Sequence, residues 1–145
     1  MKLFSTVNRF GDWGLLILRV GIGIVFFAHG MLKWGIWGME PSEQLPASML
    51  TILKILSIAE PLSAIAMAVG LLTPIPAIGM GILMLGVINM KINTMHVGFI
   101  GQQTTGWELD FTLLCAIVCI LITGPGKISL QEVFSRKRET NSPAL

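Results

Sequence analysis

Four apolar stretches divide the chain, at 13–34, 50–72, 76–97 and 107–123. Each approaches the roughly 20 residues a helix needs to cross a hydrocarbon core of about 30 Å. A segment in lipid must satisfy its own backbone hydrogen bonds, so each stretch predicts a transmembrane helix. The fourth is the shortest and is expected to lie least tilted or to end in the interface. The connections read as helix stops. Residues 35–49 hold Glu40, Pro41, Glu43 and Pro46, Thr73-Pro74-Ile75-Pro76 is a tight turn, 98–106 is rich in Gly and Gln, and Gly124-Pro125-Gly126 ends the fourth stretch. Residues 124–145 form a polar tail, expected to fray beyond Ser135. The expectation is one domain over 1–145: an all-α membrane protein, a four-transmembrane-helix bundle.

Composition sharpens this. Of 145 residues, 53% are apolar and only 12% charged, about half the roughly 25% usual in soluble domains. Mean hydropathy is +0.76. Such a chain has too little polar surface to cover a soluble globule, which excludes a disordered chain, a coiled coil and most soluble enzymes. A net charge of +2 gives no footing for nucleic acid. The first stretch is too long for a signal peptide, carries Arg19, His29 and Lys33 and lacks a small-residue cleavage site, so it reads as a retained helix.

Lys and Arg mark the ends. Lys2, Arg9, Lys127, Arg136, Lys137 and Arg138 flank the outermost stretches, whereas 35–49 and 98–106 hold none. With four spans both termini share a side, and the basic side is cytoplasmic. Trp13 then marks the inner interface, and Trp34, Trp37 and Trp107 the outer one.

The charges inside the stretches carry the chemistry. At about 100° per residue, Arg19, Ile22, Phe26, His29 and Lys33 fall within one arc of roughly 100°, the pattern of a face turned into a bundle or a wet cavity. The bland alternative is that Arg19 and Lys33 snorkel to their nearer interfaces. Glu60, near the middle of the second stretch, must be paired, protonated or lining a cavity; Arg19 is the partner this reading supplies. Pro61 frees the carbonyl of Ser57. Ala59, Ser63, Ala66 and Gly70 recur at helical spacing and would let another helix approach closely. In the third stretch Asn89, Asn93 and His96 share one face; Lys91 points away and reads as a snorkelling lysine, as does Lys54 in the second. In the fourth, Glu108, Thr112, Cys115 and Cys119 share a face, and Asp110 points away, complementing the helix dipole. The two cysteines read as buried inert thiols, and the methionines as core or lipid-facing filler rather than a copper site. There is no haem, iron–sulfur, zinc or nucleotide motif.

Together Arg19, His29, Lys33, Glu60, His96 and Glu108 form the candidate polar intramembrane site, with His29, Lys33, His96 and Glu108 towards the outer side. Histidine and carboxylate at lipid depth suit proton transfer with a membrane-soluble carrier such as a quinone. They suit proton-coupled transport or simple helix glue equally well.

The chain resembles the DoxX family of small four-helix bacterial membrane proteins. The resemblance rests on Leu18-Arg19-Val20-x-x-Gly23, Ala28-His29-Gly30-x-x-Lys33, Ala59-Glu60, Gly70-Leu71-Leu72-Thr73, Met95-His96-Val97-Gly98-Phe99, Gly106-Trp107-Glu108 and Gly124-Pro125-Gly126-Lys127-Ile128-Ser129-Leu130, in that order over nearly the whole chain. Pro74 stands where a basic residue often follows the threonine, and Gln131 where an aspartate is frequent. The resemblance implies a bacterial cytoplasmic (inner) membrane protein whose polar positions match those six residues. It also implies a link to quinone-dependent oxidoreductases; the first functional hypothesis is a redox subunit that binds a quinone head group near His29, Lys33 and Glu108. A partner redox protein or a second copy of the chain fits this reading; a membrane adaptor and a small proton-coupled transporter are the competing ones.

Overall fold

The computed structural model describes residues 2–101 and 105–140. Five α-helices are found among them, and no strand: α1 (Lys2–Leu32), α2 (Ala47–Val69), α3 (Pro74–Asn93), α4 (Glu108–Thr123) and α5 (Leu130–Thr140). A 3-10 helix, Lys33–Gly38, continues α1. Among the described residues three segments are long and apolar enough to cross a membrane: Phe10–Gly38, Ala47–Val69 and Pro74–Asn93. The fourth apolar helix, α4, has 16 residues, about 24 Å at 1.5 Å per residue. Rows of exposed apolar side chains, including Ile17, Ile24, Leu62, Ile82 and Ile122, cover the outside. That is the surface expected of a chain solvated by lipid rather than water.

α1 packs most extensively on α2 and α3 on α4, while α2 meets α3 and α1 meets α4, closing a ring. The core is Ile22, Phe26, Ala64, Met67, Ala77, Met80, Met84, Ile117 and Ile120. These positions recur at alternating spacings of three and four, the seam of helices packed at shallow angles. Glycine sets the α1–α2 distance. A Cβ at Gly23 would lie 2.9 Å from the Ala64 carbonyl oxygen, and one at Gly30 would lie 2.4 Å from Pro61 Cδ. The close approach thus runs through Gly23 and Gly30 against Pro61, Ala64 and Ala68, rather than through the stripe of Ala59, Ser63, Ala66 and Gly70 expected from sequence.

α2 ends in a Schellman motif. Leu71 N–H donates to Ala66 O, Gly70 N–H donates to Met67 O, and Gly70 sits at φ 70°. α3 stops at Asn93, four residues short of expectation, and His96 takes a left-handed backbone (φ 51°) beyond it.

Within the tail expected to fray, residues up to Thr140 are helical as α5 (Leu130–Thr140), while 141–145 lie outside the described residues. Ser129-Leu130-Gln131-Glu132 is a capping pattern: Glu132 N–H donates to Ser129 Oγ at 3.2 Å, and Arg136 pairs with Glu132 at 3.0 Å. The approach to α5 folds onto the α2–α3 turn. Gln131 N–H donates to Gly70 O (3.0 Å), Thr73 N–H donates to Gln131 Oε1 (3.3 Å), and Lys127 N–H donates to Asp12 Oδ1 (2.8 Å). Arg19, fully buried, donates from Nη2 to the Ile128 carbonyl, and its Nη1 occupies the space beside Gly70 that a side chain there would fill. Three of the segments that carry the family resemblance therefore meet at one end of the helices.

Candidate functional site

The opposite end holds a cavity of about 740 Å³, walled by α1, α2, α3 and α4. Most of its lining is apolar, with Phe26, Leu53, Leu56 and Val87 among the lining residues; the polar exceptions are His29, Lys33, Glu60, Lys91, Asp110 and Thr105. A local device in α2 builds its first wall. Pro61 has no N–H for the Ser57 carbonyl. Trp34 Nε1 donates to that carbonyl at 2.8 Å, and Trp37 Nε1 donates to Ser57 Oγ at 3.0 Å. Lys54 lies over the Trp37 ring at 5.9 Å, within cation–π range. The 3-10 helix is thereby fixed against α2, and Lys33, its first residue, meets Glu60: Nζ to Oε2 is 2.5 Å. Lys33 also donates to the His29 carbonyl at 3.2 Å. Glu60 is 5% exposed, so an unpaired charge there would be costly.

The second wall carries a matching pair. Lys91 Nζ lies 2.6 Å from Asp110 Oδ2 and donates to the Gly106 carbonyl at 2.9 Å. Lys91 and Asp110, expected from the helical pattern to point away from the bundle, both face the cavity. α3 turns Ala77, Met80, Met84, Val87 and Lys91 inward, and α4 turns Asp110, Leu113, Ile117 and Ile120 inward. A signal was present, since Lys91 continues the three–four stripe of α3. It is weak because a helix in lipid is apolar all round, so hydrophobicity does not mark its inner face.

Of the six expected site residues, the structure brings together His29, Lys33 and Glu60. Arg19 lies near the middle of α1, about 15 Å along the helix from His29, against Ile128 and Gly70, so it is not the partner of Glu60. Ten residues of helix, about 15 Å, separate the α2 levels of Glu60 and Gly70. His96 is exposed beyond the end of α3. Glu108 is not among the cavity-lining residues; its Oε2 folds over Gly106, buried and without a hydrogen-bond partner among the described residues. Asn93 donates to Asn89 (2.7 Å) on an exposed face. Cys115 and Cys119, expected to be buried, are exposed on α4. Phe99, Trp107 and Phe111 stack edge-on next to the cavity's α4 wall, with the Phe99–Trp107 centroids 4.5 Å apart.

The fold and this cavity define a small all-helical membrane protein with a charged, internally paired site among its helices. The DoxX family profile matches residues 14–96, a span that includes Arg19, His29, Lys33, Glu60 and Lys91. The chain belongs to the DoxX family. It is 27% identical over 146 residues, covering 95% of this chain and 100% of the relative, to a Bacillus subtilis (strain 168) protein named "Putative oxidoreductase CatD". No solved structure matches the chain.

Proposed function

We propose that the protein is a quinone-linked redox subunit of the bacterial cytoplasmic membrane, which takes a quinone head group into the cavity while a partner redox protein exchanges electrons with it. In this reading the chain crosses the membrane four times as a single bundle domain, both termini are cytoplasmic, and the cavity opens to the outer side. The carrying observation is the cavity itself: a largely apolar space of about 740 Å³ whose polar groups are two lysine–carboxylate pairs and one histidine. The apolar walls suit a hydrophobic ring, and the few polar groups fix its orientation. The name of the Bacillus relative, "Putative oxidoreductase CatD", supports the same class.

A bound quinone supplies a couple that takes up two electrons and two protons. The chain's own part is to bind and to hold protons. Lys33 Nζ has a donor left over for a carbonyl oxygen, Glu60 balances its charge, and His29 is of the residue type that exchanges a proton near neutral pH. The fit favours His29 and Lys33 from the expected trio and replaces Glu108 by Asp110, which lines the cavity.

Purification in mild detergent followed by solvent extraction tests this. The wild type is expected to carry about one quinone per chain. His29→Gln should fold normally yet lose retention by about tenfold, the scale of one hydrogen bond in a site of low dielectric. A wild type that carries no quinone and binds no added duroquinone would exclude the reading and leave a transporter or an adaptor.

A further inference from the structure

The two ion pairs are built alike. Each lysine stands at the C-terminal end of the first helix of a hairpin, Lys33 one residue past α1 and Lys91 in the last turn of α3. Each partner carboxylate stands on the second helix, Glu60 on α2 and Asp110 on α4. Both ammonium groups therefore lie where the helix dipole favours a cation. Each donates once to a carboxylate (2.5 and 2.6 Å) and once to a main-chain carbonyl (3.2 and 2.9 Å). An ammonium has three donors, and the third of each has no partner among the described residues. Both lysines line the same cavity from different helix pairs. One ion pair would suffice to anchor a ligand with a single polar end, and a second at lipid depth costs desolvation that gains nothing unless it is used.

We propose that the cavity is two-poled: Lys33 and Lys91 each donate to one of two oxygens on opposite edges of the same ring. The site then selects a flat apolar ring bearing two opposed carbonyls over one bearing a single carbonyl. This inference rests on the quinone reading and assigns Lys91, with Asp110 behind it, as a specificity-determining residue.

The test compares duroquinone, with two opposed carbonyls, with isophorone, a methylated six-membered ring with one, by equilibrium dialysis on the full chain in detergent. Paired variants avoid stranding a charge: Lys33→Met with Glu60→Gln, and Lys91→Met with Asp110→Asn. Each pair is expected to weaken duroquinone about tenfold or more, the scale of a hydrogen bond from a charged donor. Isophorone should change by no more than about twofold, because its carbonyl can turn to the remaining pole. Duroquinone affinity unchanged in the Lys91 variant but lost in the Lys33 variant would overturn the two-pole assignment and leave the quinone reading standing. Failure of the wild type to bind duroquinone would overturn both, before any variant is made. Infrared spectra of duroquinone on the wild type give an answer without substitution. The whole carbonyl absorption should lie below that of free duroquinone, and a component left at the free frequency would overturn the proposal.

Discussion

At the residue scale, the decisive feature is which cation meets Glu60. The carboxylate is held by Lys33, just past the end of α1 at the same level, and not by Arg19 near the middle of α1. Breaking a buried pair from one side leaves a charge without compensation, which costs about 3–5 kcal/mol in soluble proteins. Here Lys33 is 23% exposed and the membrane reference state finds other partners, so a smaller loss is expected. Glu60→Gln should lower the melting temperature of the detergent-solubilised protein. Adding Lys33→Met should recover most of that loss, and adding Arg19→Met should not. Rescue by the arginine change would contradict the pairing seen here.

At the scale of single elements, α2 shows how a helix break is put to use. Proline removes one intrahelical donor, and an indole from the preceding 3-10 helix supplies the replacement. Trp34→Phe should therefore cost about 1 kcal/mol, the net worth of one hydrogen bond. In a Pro61→Ala background the Ser57 carbonyl regains a helical donor, and the same Trp34 change should cost much less. Equal costs in the two backgrounds, measured by thermal unfolding, would show that the indole–carbonyl bond is incidental. The α1–α2 contact makes a second demand. Gly30→Ala would drive a methyl to within 2.4 Å of the rigid Pro61 ring, so a destabilisation of about 1–3 kcal/mol is expected from overpacking. A variant as stable as the wild type would mean that the two helices can separate freely.

At the scale of the whole molecule, the two ends of the helices do different work. One end is tied by the C-terminal segment to Gly70, Thr73, Asp12 and Arg19. The other is widened by the cavity and rimmed by Trp34, Trp37 and Trp107. In the topology proposed above, the tied end, where Lys and Arg are in excess, faces the cytoplasm. In a background of Cys115→Ala and Cys119→Ala, a cysteine at Glu43 should react with an impermeant maleimide on intact cells. One at Val133, exposed on α5, should react only after permeabilisation. The reverse pattern would invert the topology.

Composition and the lengths of the apolar runs were enough to define a helical membrane chain, because a continuous apolar run of about 20 residues can satisfy its own backbone in lipid only as a helix. The inner face of α1 was legible in part: Arg19 is buried and Lys33 meets Glu60, whereas His29 lines the cavity yet is exposed. The sequence even pointed to the carbonyl that Pro61 frees, though not to the indole that takes it. Facing was hidden in α3 and α4, where a single lysine and a single aspartate compete with apolar residues on every side. α5 escaped because its signal, Ser129-x-x-Glu132, is a local cap in an otherwise polar tail. Which carboxylate each lysine meets was decided by tertiary structure alone. The rotation and height of each helix are set by close contacts such as Gly23 against Ala64 and Gly30 against Pro61, and these depend on atoms far apart in the chain.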